Sequence, residues 1–123
     1  MPLPPAPPSP SASPSLRAAV VLRPAMIAYA ANCGLGLAVA SGRVHLGGFR
    51  WVHHALYVLT VTTTGLGALA LLQRRDRALL RLLPVALPLA LVPRVPARSR
   101  GHVLVALSAA PFYAAACRSG RGR

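Results

Sequence analysis

The fold is decided by the stretch WVHHALYVLTVTTTGLGALALL, residues 51–72, which contains no formally charged side chain. It follows Arg50 and is followed by the Gln-Arg-Arg sequence of residues 73–75, so that polar residues mark both of its boundaries. At about 1.5 Å per residue, a helix of this length crosses the roughly 30 Å hydrocarbon core of a bilayer. Trp51 and Tyr57 fit an aromatic belt near one interface. This stretch therefore predicts a transmembrane helix.

Two further apolar runs have the length of short spans. The first covers residues 24–42, and the fourth in chain order covers residues 101–117. Pro24 is expected in the first helical turn, where its missing N–H costs nothing. Both runs carry small residues at every fourth position, which lets another helix approach closely in lipid. These small-residue faces are Ala30, Gly34 and Ala38 in the first run, and Ala106, Ala110 and Ala114 in the fourth.

The third run, residues 78–92, is the weakest candidate for a span. It is the shortest of the four runs and contains Arg81, Pro84 and Pro88. We predict a kinked and tilted span, with the Arg81 side chain reaching back toward the preceding loop. The alternative is a re-entrant or interfacial segment. The whole pattern predicts an all-α polytopic membrane helical bundle with four short transmembrane helices, of which the third is the contested one.

Composition divides the chain into three parts. Residues 1–16 are rich in Pro and Ser, and such a segment cannot offset its ordering entropy, so we predict a disordered tail. Residues 17–118 form the transmembrane helical domain, and residues 119–123 form a basic C-terminal tail. The first run also has a signal-peptide interpretation. The long Pro-rich lead and the Asn32 amide in the middle of the run disfavour it.

The positive charge of the chain comes from Arg alone, since there are 14 Arg and no Lys, and Asp76 is the single acid. The Arg residues are dispersed between the apolar runs and not gathered with aromatics into one stripe. We therefore expect contacts with the lipid bilayer and its anionic head groups, and no nucleic-acid partner. Arg without Lys also fits a random GC-rich reading frame. Arg at nearly every boundary of runs of bilayer length favours a genuine membrane protein.

With four spans, the two termini and the loop at residues 73–77 share one side of the membrane. That side carries nine Arg against five on the other. The predicted location is a membrane crossed several times, which is the cell membrane if the source is bacterial, and the positive-inside rule predicts a cytoplasmic N-terminus. A re-entrant third run leaves this placement of the N-terminus unchanged. The nine are Arg17, Arg23, Arg74, Arg75, Arg77, Arg81, Arg118, Arg121 and Arg123, and the five are Arg43, Arg50, Arg94, Arg98 and Arg100.

Polar residues recur on one stripe of the second helix, where His53, Tyr57, Thr60 and Thr64 lie within a narrow sector at about 100° per residue. Unpaired polar groups are costly in hydrocarbon, so this stripe is expected to face other helices. Asn32, at the middle of the first run, is the predicted hydrogen-bond partner of Thr60 or Thr64. Alternatively, the stripe lines a path through a small oligomeric channel or permease.

The histidines of the chain all lie toward one side of the four-span arrangement. His53 and His54 begin the second helix, His102 begins the fourth, and His45 lies in the first loop. Neutral imidazole is a common ligand, so His53, His54 and His102 are the candidate cofactor-binding residues for a haem or a metal ion. Two adjacent histidines on a helix point about 100° apart and cannot easily share one metal. The leading expectation is therefore interfacial histidines, with no cofactor and no metal.

Catalytic motifs are lacking in the sequence. Proton-coupled transport usually needs an ionisable group at membrane depth, and Asp76 lies in a loop. Ser108 has no flanking GxSxG pattern. We therefore predict a non-enzymatic accessory or structural membrane subunit, which binds another membrane protein or a second copy through its small-residue faces. The alternatives are a haem- or metal-binding membrane protein and a small oligomeric channel or permease.

Overall fold

The computed structural model describes residue 1 and residues 14–45 and 47–119, and the regular structure within these residues is helical, with no strand. The predicted all-α fold is confirmed for this part of the chain. Two long helices are followed by two broken helical segments, the third segment (residues 78–94) and the fourth segment (residues 100–117). The α-helices are α1 (Pro14–Ala40), α2 (Arg50–Gln73), α3 (Ala78–Leu82), α4 (Ala86–Leu91), α5 (Arg100–Leu107) and α6 (Ala110–Cys117), and 3₁₀ turns cover Gly47–Phe49, Leu83–Val85 and Val92–Arg94.

Helix α1 begins earlier than predicted. Residues 14–16 are helical and not part of a tail, and residues 2–13 lie outside the described residues, as do residues 120–123 of the predicted C-terminal tail. Pro24 lies inside α1, which corrects its predicted place in the first turn. An internal proline removes a helical hydrogen bond and costs about 3 kcal/mol in an isolated helix. The buried face formed by Ala18, Leu22, Ala25 and Ala28 offsets that cost through packing.

Helices α1 and α2 form an antiparallel hairpin. Gly36 of α1 lies opposite His53 of α2, and Leu22 lies opposite Gly67. The stretch of α1 between these two contacts is as long as the stretch of α2, so the helices keep one unbroken register between them. A Cβ atom at Gly67 would lie 2.9 Å from Cδ2 of Leu22. The glycine therefore sets how closely the two helices approach.

Prolines divide the third segment. Pro84 and Pro93 each lie in a 3₁₀ turn, because a residue without an N–H cannot close the α-helical ladder at its position. The segment nevertheless runs back along α2, since the Tyr57 hydroxyl donates to the carbonyl oxygen of Leu89 at 2.8 Å. Leu82 at the other end of the segment shares a groove with Thr64 of α2. The third segment therefore runs antiparallel to α2.

The fourth segment is interrupted at Ser108–Ala109, just before Pro111. It runs parallel to α2. His102 lies beside His53, and Tyr113 lies beside Thr64, so the same step along the chain separates the two contacts on both elements. Since α1 and the third segment run opposite to α2, the four segments alternate in direction.

The best-packed region lies at the end of the bundle that holds Asp76. Oδ1 of Asp76 accepts a hydrogen bond from the N–H of Ala78 at 2.8 Å and so satisfies a donor at the start of α3. Small side chains predominate in the core there, which allows the segments to approach closely. The core residues are Ala18, Leu22, Ala25, Leu71, Ala78, Leu82, Val85, Ala109, Tyr113 and Ala116.

Candidate functional site

Hydroxyl groups lie in the interior of the bundle. Thr60 is fully buried and Thr64 is 9% exposed, and both occupy the face of α2 that packs against other segments. Oγ1 of Thr60 donates to the carbonyl oxygen of Leu56 at 2.8 Å, and Oγ1 of Thr64 donates to that of Thr60 at 2.6 Å. Each hydroxyl proton is thus bound by a carbonyl one turn back on the same helix. Neither threonine needs a second helix to satisfy its donor.

The partner of Thr64 on another segment is Tyr113. The Thr64 proton is already donated, so Tyr113 donates its own proton across a distance of 2.5 Å between the two oxygens. The predicted bond from Asn32 to Thr60 or Thr64 is therefore wrong. Oδ1 of Asn32 is buried and has no hydrogen-bond partner among the described residues. Sequence reasoning missed Tyr113, although a tyrosine within an Ala-rich apolar run signals a buried hydroxyl that needs a partner.

A second tyrosine contact joins α1 to the fourth segment. The rings of Tyr29 and Tyr113 lie 4.9 Å apart between centroids and are tilted by 35°. The Tyr29 hydroxyl donates to the carbonyl oxygen of Ala106 at 2.7 Å, just before the interruption of that segment. The two tyrosines and Thr64 thus link α1, α2 and the fourth segment through one polar cluster.

Tyr57 stabilises the third segment by a different route. In an unbroken α-helix the carbonyl of residue 89 accepts a hydrogen bond from the N–H of residue 93. Residue 93 is proline and has no N–H. The Tyr57 hydroxyl donates to the Leu89 carbonyl in its place. A side chain of α2 therefore satisfies the backbone acceptor that Pro93 leaves open.

The structure brings together two of the three predicted histidines. The ring centroids of His53 and His102 lie 6.1 Å apart, and the ring planes are inclined by 50°. His54 is exposed, and its ring lies 6.5 Å from that of Tyr57. His45 is exposed in the connection between α1 and α2. His53 and His102 are both partly buried, and we call them the histidine pair.

Backbone contacts orient His102. Its own N–H binds Oγ of Ser99 at 3.2 Å, which caps the start of α5. Its ring nitrogen Nδ1 lies 3.1 Å from the carbonyl oxygen of Val95. A carbonyl can only accept, so this contact requires the proton of the His102 ring to be on Nδ1. The contact orients the ring of His102 toward the connection between the third and fourth segments.

The surroundings of the histidine pair are positively charged. The connections at this end of the bundle carry exposed arginines, and the single carboxylate side chain, Asp76, lies in the loop at the other end. Within the described residues, His, Cys, Asp and Glu side chains form no group of three or more that could hold a metal ion. The exposed arginines at the histidine end are Arg43, Arg50, Arg94, Arg98 and Arg100.

Part of the small-residue faces remains on the outside of the bundle. Ala30 and Gly34 are exposed, and a Cβ atom added at Gly34 would have no atom within 4 Å. On the fourth segment, Ala110 is also exposed. In contrast, Ala38 and Ala114 are partly covered by the chain itself. The faces predicted for helix packing are thus divided between contacts within the chain and open surface.

Together these features describe, over the described residues, a helical bundle whose apolar core includes two buried threonines and whose segments expose large apolar side chains. Two of its helices, Leu16–Ala40 and Arg50–Gln73, are long and apolar enough to cross a membrane. No protein-family model, curated protein or solved structure matches the chain.

Proposed function

We propose that this chain is a multi-pass integral membrane protein with four transmembrane segments and a non-enzymatic, accessory or structural role. The observation that carries the proposal is the exposure of large apolar side chains along the segments, around a core in which the two buried threonine hydroxyls are bonded. In hydrocarbon such an arrangement is favourable, because polar groups are satisfied internally and apolar groups face lipid.

The exposed surface supports a membrane environment on all four segments. Only 28% of the apolar window of α1 and 22% of that of α2 are buried, whereas the core helix of a soluble protein is mostly buried. A soluble monomer rarely exposes contiguous apolar surface of this extent. Strongly exposed apolar side chains, each between 63% and 68% accessible, are Val20, Ile27, Leu66, Leu80, Leu87 and Leu104.

The grooves between segments support packing over substrate binding. One groove of about 330 Å³ lies between α2 and the third segment, and another of about 590 Å³ lies between α1 and α2. Both are lined mostly by aliphatic side chains. The polar residues are Tyr57 and Thr64 in the first groove, and Arg23 and Thr63 in the second. A substrate site usually has a few convergent polar groups, whereas Tyr57 and Thr64 are already bonded within the chain. Acyl chains or an apolar helix of a partner suit these grooves better.

The partner surface we propose includes Ala30 and Gly34, which are exposed on α1. Small residues at this spacing allow a helix of another membrane protein, or of a second copy, to approach closely. The channel alternative has less support, because Thr60 and Thr64 are buried and bonded within the chain. Their hydroxyl protons are therefore already donated and are not available to a solute in a path between subunits.

The test of this proposal is a topology measurement with single cysteines. Cys33 and Cys117 are replaced by Ala, and one Cys is placed at Arg98 or at Arg121. An impermeant maleimide is then applied to intact cells and, separately, to permeabilised cells. With four spans and a cytoplasmic N-terminus, we expect label at position 98 in intact cells and label at position 121 only after permeabilisation. A third variant with its single Cys at Ser11 reports the side of the N-terminus. The reverse pattern with position 11 protected in intact cells contradicts four spans and supports the re-entrant third segment, whereas the reverse pattern with position 11 labelled in intact cells corresponds to four spans in the opposite orientation.

Extraction of isolated membranes with alkaline carbonate is the control for integration. An integral protein remains in the pellet. Recovery of the chain in the carbonate supernatant would contradict membrane integration itself, whatever the labelling pattern.

A further inference from the structure

We propose that the groove between α1 and α2 binds an anionic phospholipid, with the lipid phosphate at Arg23 and one acyl chain along the groove. The inference rests on the proposed membrane location and adds a ligand of stated chemistry to it. The groove has a volume of about 590 Å³, and its lining is apolar except for Arg23 and Thr63. The Thr63 hydroxyl donates to the carbonyl oxygen of Leu59 at 2.7 Å, so Arg23 supplies the polar group that remains for a ligand.

The length of the groove is that of one lipid leaflet. On α1 it extends from Val20 to Ala31, which is about 16 Å at roughly 1.5 Å per residue. One leaflet contributes half of the roughly 30 Å hydrocarbon core. In the register of the α1–α2 hairpin, Ala31 lies near the middle of α2. The groove therefore extends from one membrane surface to about the midplane, which suits an acyl chain. A partner helix that crosses both leaflets would need a longer groove.

Arg23 lies at the end of the groove that is nearer the N-terminus of α1. In the hairpin register it is level with Leu66 of α2, about 10 Å along the axis from Gln73, where α2 ends, at roughly 1.5 Å per residue. The Arg23 backbone is therefore inside the apolar length of the hairpin. Side chains on a helix tilt toward its N-terminus, so the guanidinium extends from this depth toward the membrane surface. The head-group region, with its phosphates, begins there.

The Arg23 guanidinium takes its counter-ion from outside the chain. A charged group within a membrane usually pairs with an opposite charge. The single carboxylate side chain of the chain, Asp76, lies in the loop beyond the end of α2 and accepts a hydrogen bond from the N–H of Ala78. A lipid phosphate supplies the missing negative charge, and a guanidinium binds phosphate in a bidentate pair.

Two further arginines border the same end of the groove. Arg17 is exposed three residues before Val20, on the same face of α1. The N–H of Arg74 donates to the carbonyl oxygen of Ala70 at 3.2 Å, so Arg74 continues the last turn of α2. At about 100° per residue, Arg74 is on the face of α2 that carries Thr63. Both helices therefore place positive charge where the lipid head group would lie.

This charge distinguishes an anionic lipid from a zwitterionic one. A choline or ethanolamine head group carries a cation, which the arginines repel. A head group that ends in a neutral alcohol keeps the net negative charge of the phosphate. The proposed topology places this end of the bundle at the cytoplasmic surface, whose leaflet carries anionic lipids. The ligand is therefore an anionic phospholipid of that leaflet.

The experiment is native mass spectrometry of the purified full chain, released from detergent micelles that contain phosphatidylglycerol and phosphatidylcholine with the same acyl chains. We expect the chain to retain one phosphatidylglycerol in preference to phosphatidylcholine by about fivefold or more, the factor that one arginine near a membrane surface contributes. Arg23→Gln should lower this preference by about fivefold.

Arg81→Gln is the matched control. Arg81 is exposed and lies at nearly the same depth, next to Leu82, which shares the other groove with Thr64. It does not line the groove between α1 and α2. Its substitution removes the same charge, and the lipid preference should stay within about twofold of that of the unaltered chain. An equal loss in Arg81→Gln would show a diffuse attraction to positive charge and overturn the proposal.

A second pair of variants tests the groove itself. Ala31→Trp places a large side chain in the groove and leaves the arginines in place, so retention of phosphatidylglycerol should fall severalfold. Ala30→Trp adds the same side chain outside the groove and should have no such effect. Circular dichroism verifies that both variants stay helical. Glycerophosphoglycerol, the head group without acyl chains, should not displace the lipid. Its equal competition would show head-group binding without the groove and overturn the proposal.

The remaining outcomes separate this site from the membrane proposal. A chain that resists carbonate extraction but retains the two lipids equally overturns the lipid site and leaves the membrane location intact. A chain recovered in the carbonate supernatant contradicts both. Dimers without retained lipid, lost in Ala31→Trp and kept in Ala30→Trp, would assign the groove to a second copy and overturn the lipid site.

Discussion

At the scale of single residues, the buried hydroxyls have two kinds of partner. Thr60 and Thr64 donate to carbonyls on their own helix, so these bonds form whenever α2 forms. The bond from Tyr113 to Thr64 joins two segments that are distant in the chain. Only this second kind of bond depends on the assembled bundle and contributes to its specific register.

The Thr64–Tyr113 bond can be measured by a double-mutant cycle with Thr64→Val and Tyr113→Phe. Hydrogen bonds between helices in membranes contribute about 0.6 kcal/mol on average and up to about 1.7 kcal/mol. We expect a coupling free energy in that range, read from reversible unfolding in mixed detergent micelles. Additive effects of the two substitutions would contradict the bond. Thr63→Val, which alters a hydroxyl bound within α2, is the control and should not couple to Tyr113→Phe.

At the scale of elements, the third segment is the least regular and depends most on its neighbours. Its prolines remove backbone donors, and a short helix with open carbonyls is unstable in hydrocarbon. The contact from Tyr57 to Leu89 satisfies one such carbonyl. The stability of this segment is therefore coupled to a side chain of α2 and not to its own helix propensity.

We expect Tyr57→Phe to destabilise the bundle by about 1 kcal/mol, because it leaves the Leu89 carbonyl without a donor. Pro93→Ala returns an N–H to the position that normally serves residue 89, so Tyr57→Phe should cost less in that background. The difference is measured from the unfolding free energies of the unaltered chain, Tyr57→Phe, Pro93→Ala and the double variant. Pro84→Ala is the matched control, because that proline affects a different carbonyl. An equal cost of Tyr57→Phe in the unaltered and Pro93→Ala backgrounds would show that the two residues act independently.

At the scale of the whole molecule, the exposed apolar surface decides the environment that the fold requires. Each of the four segments presents large aliphatic side chains outward, and most charged side chains lie in the connections or at the ends of helices, while Arg23 lies within α1 and Arg81 within α3. The separation of most charged residues from the long apolar stretches is typical of a protein folded in a bilayer.

An arginine placed on the exposed face of α2 tests that environment. Leu59 is 49% exposed near the middle of α2, and an arginine at the centre of a membrane helix costs about 2.5–3.5 kcal/mol on insertion. We expect Leu59→Arg to lower the fraction of chain that resists carbonate extraction. Leu72→Arg is the control, because Leu72 is 58% exposed at the end of α2, where the long side chain can reach water. A soluble fold would accept Leu59→Arg without any change in its distribution.

The all-helical class and the bounds of the second helix were predictable from local pattern. The length of the uncharged stretch and the polar residues on either side of it can be seen in the local sequence. The observed α2 covers Arg50–Gln73, against a predicted 51–72. The start of α1 was not predictable in the same way. Pro24 indicated a helix start. Because Leu22 and Ala25 pack into the core, α1 is helical on both sides of the proline.

The sequence by itself determined which residues are apolar, where charge interrupts them and that His53 and His102 begin their helices. The tertiary structure alone decided the pairings: Tyr113 and not Asn32 with Thr64, Tyr57 with Leu89, and His102 with His53 while His54 faces outward. The physical reason is that helix periodicity and hydropathy are properties of neighbouring residues. The partner of a buried side chain depends on the rotation and register of helices that are distant in the chain.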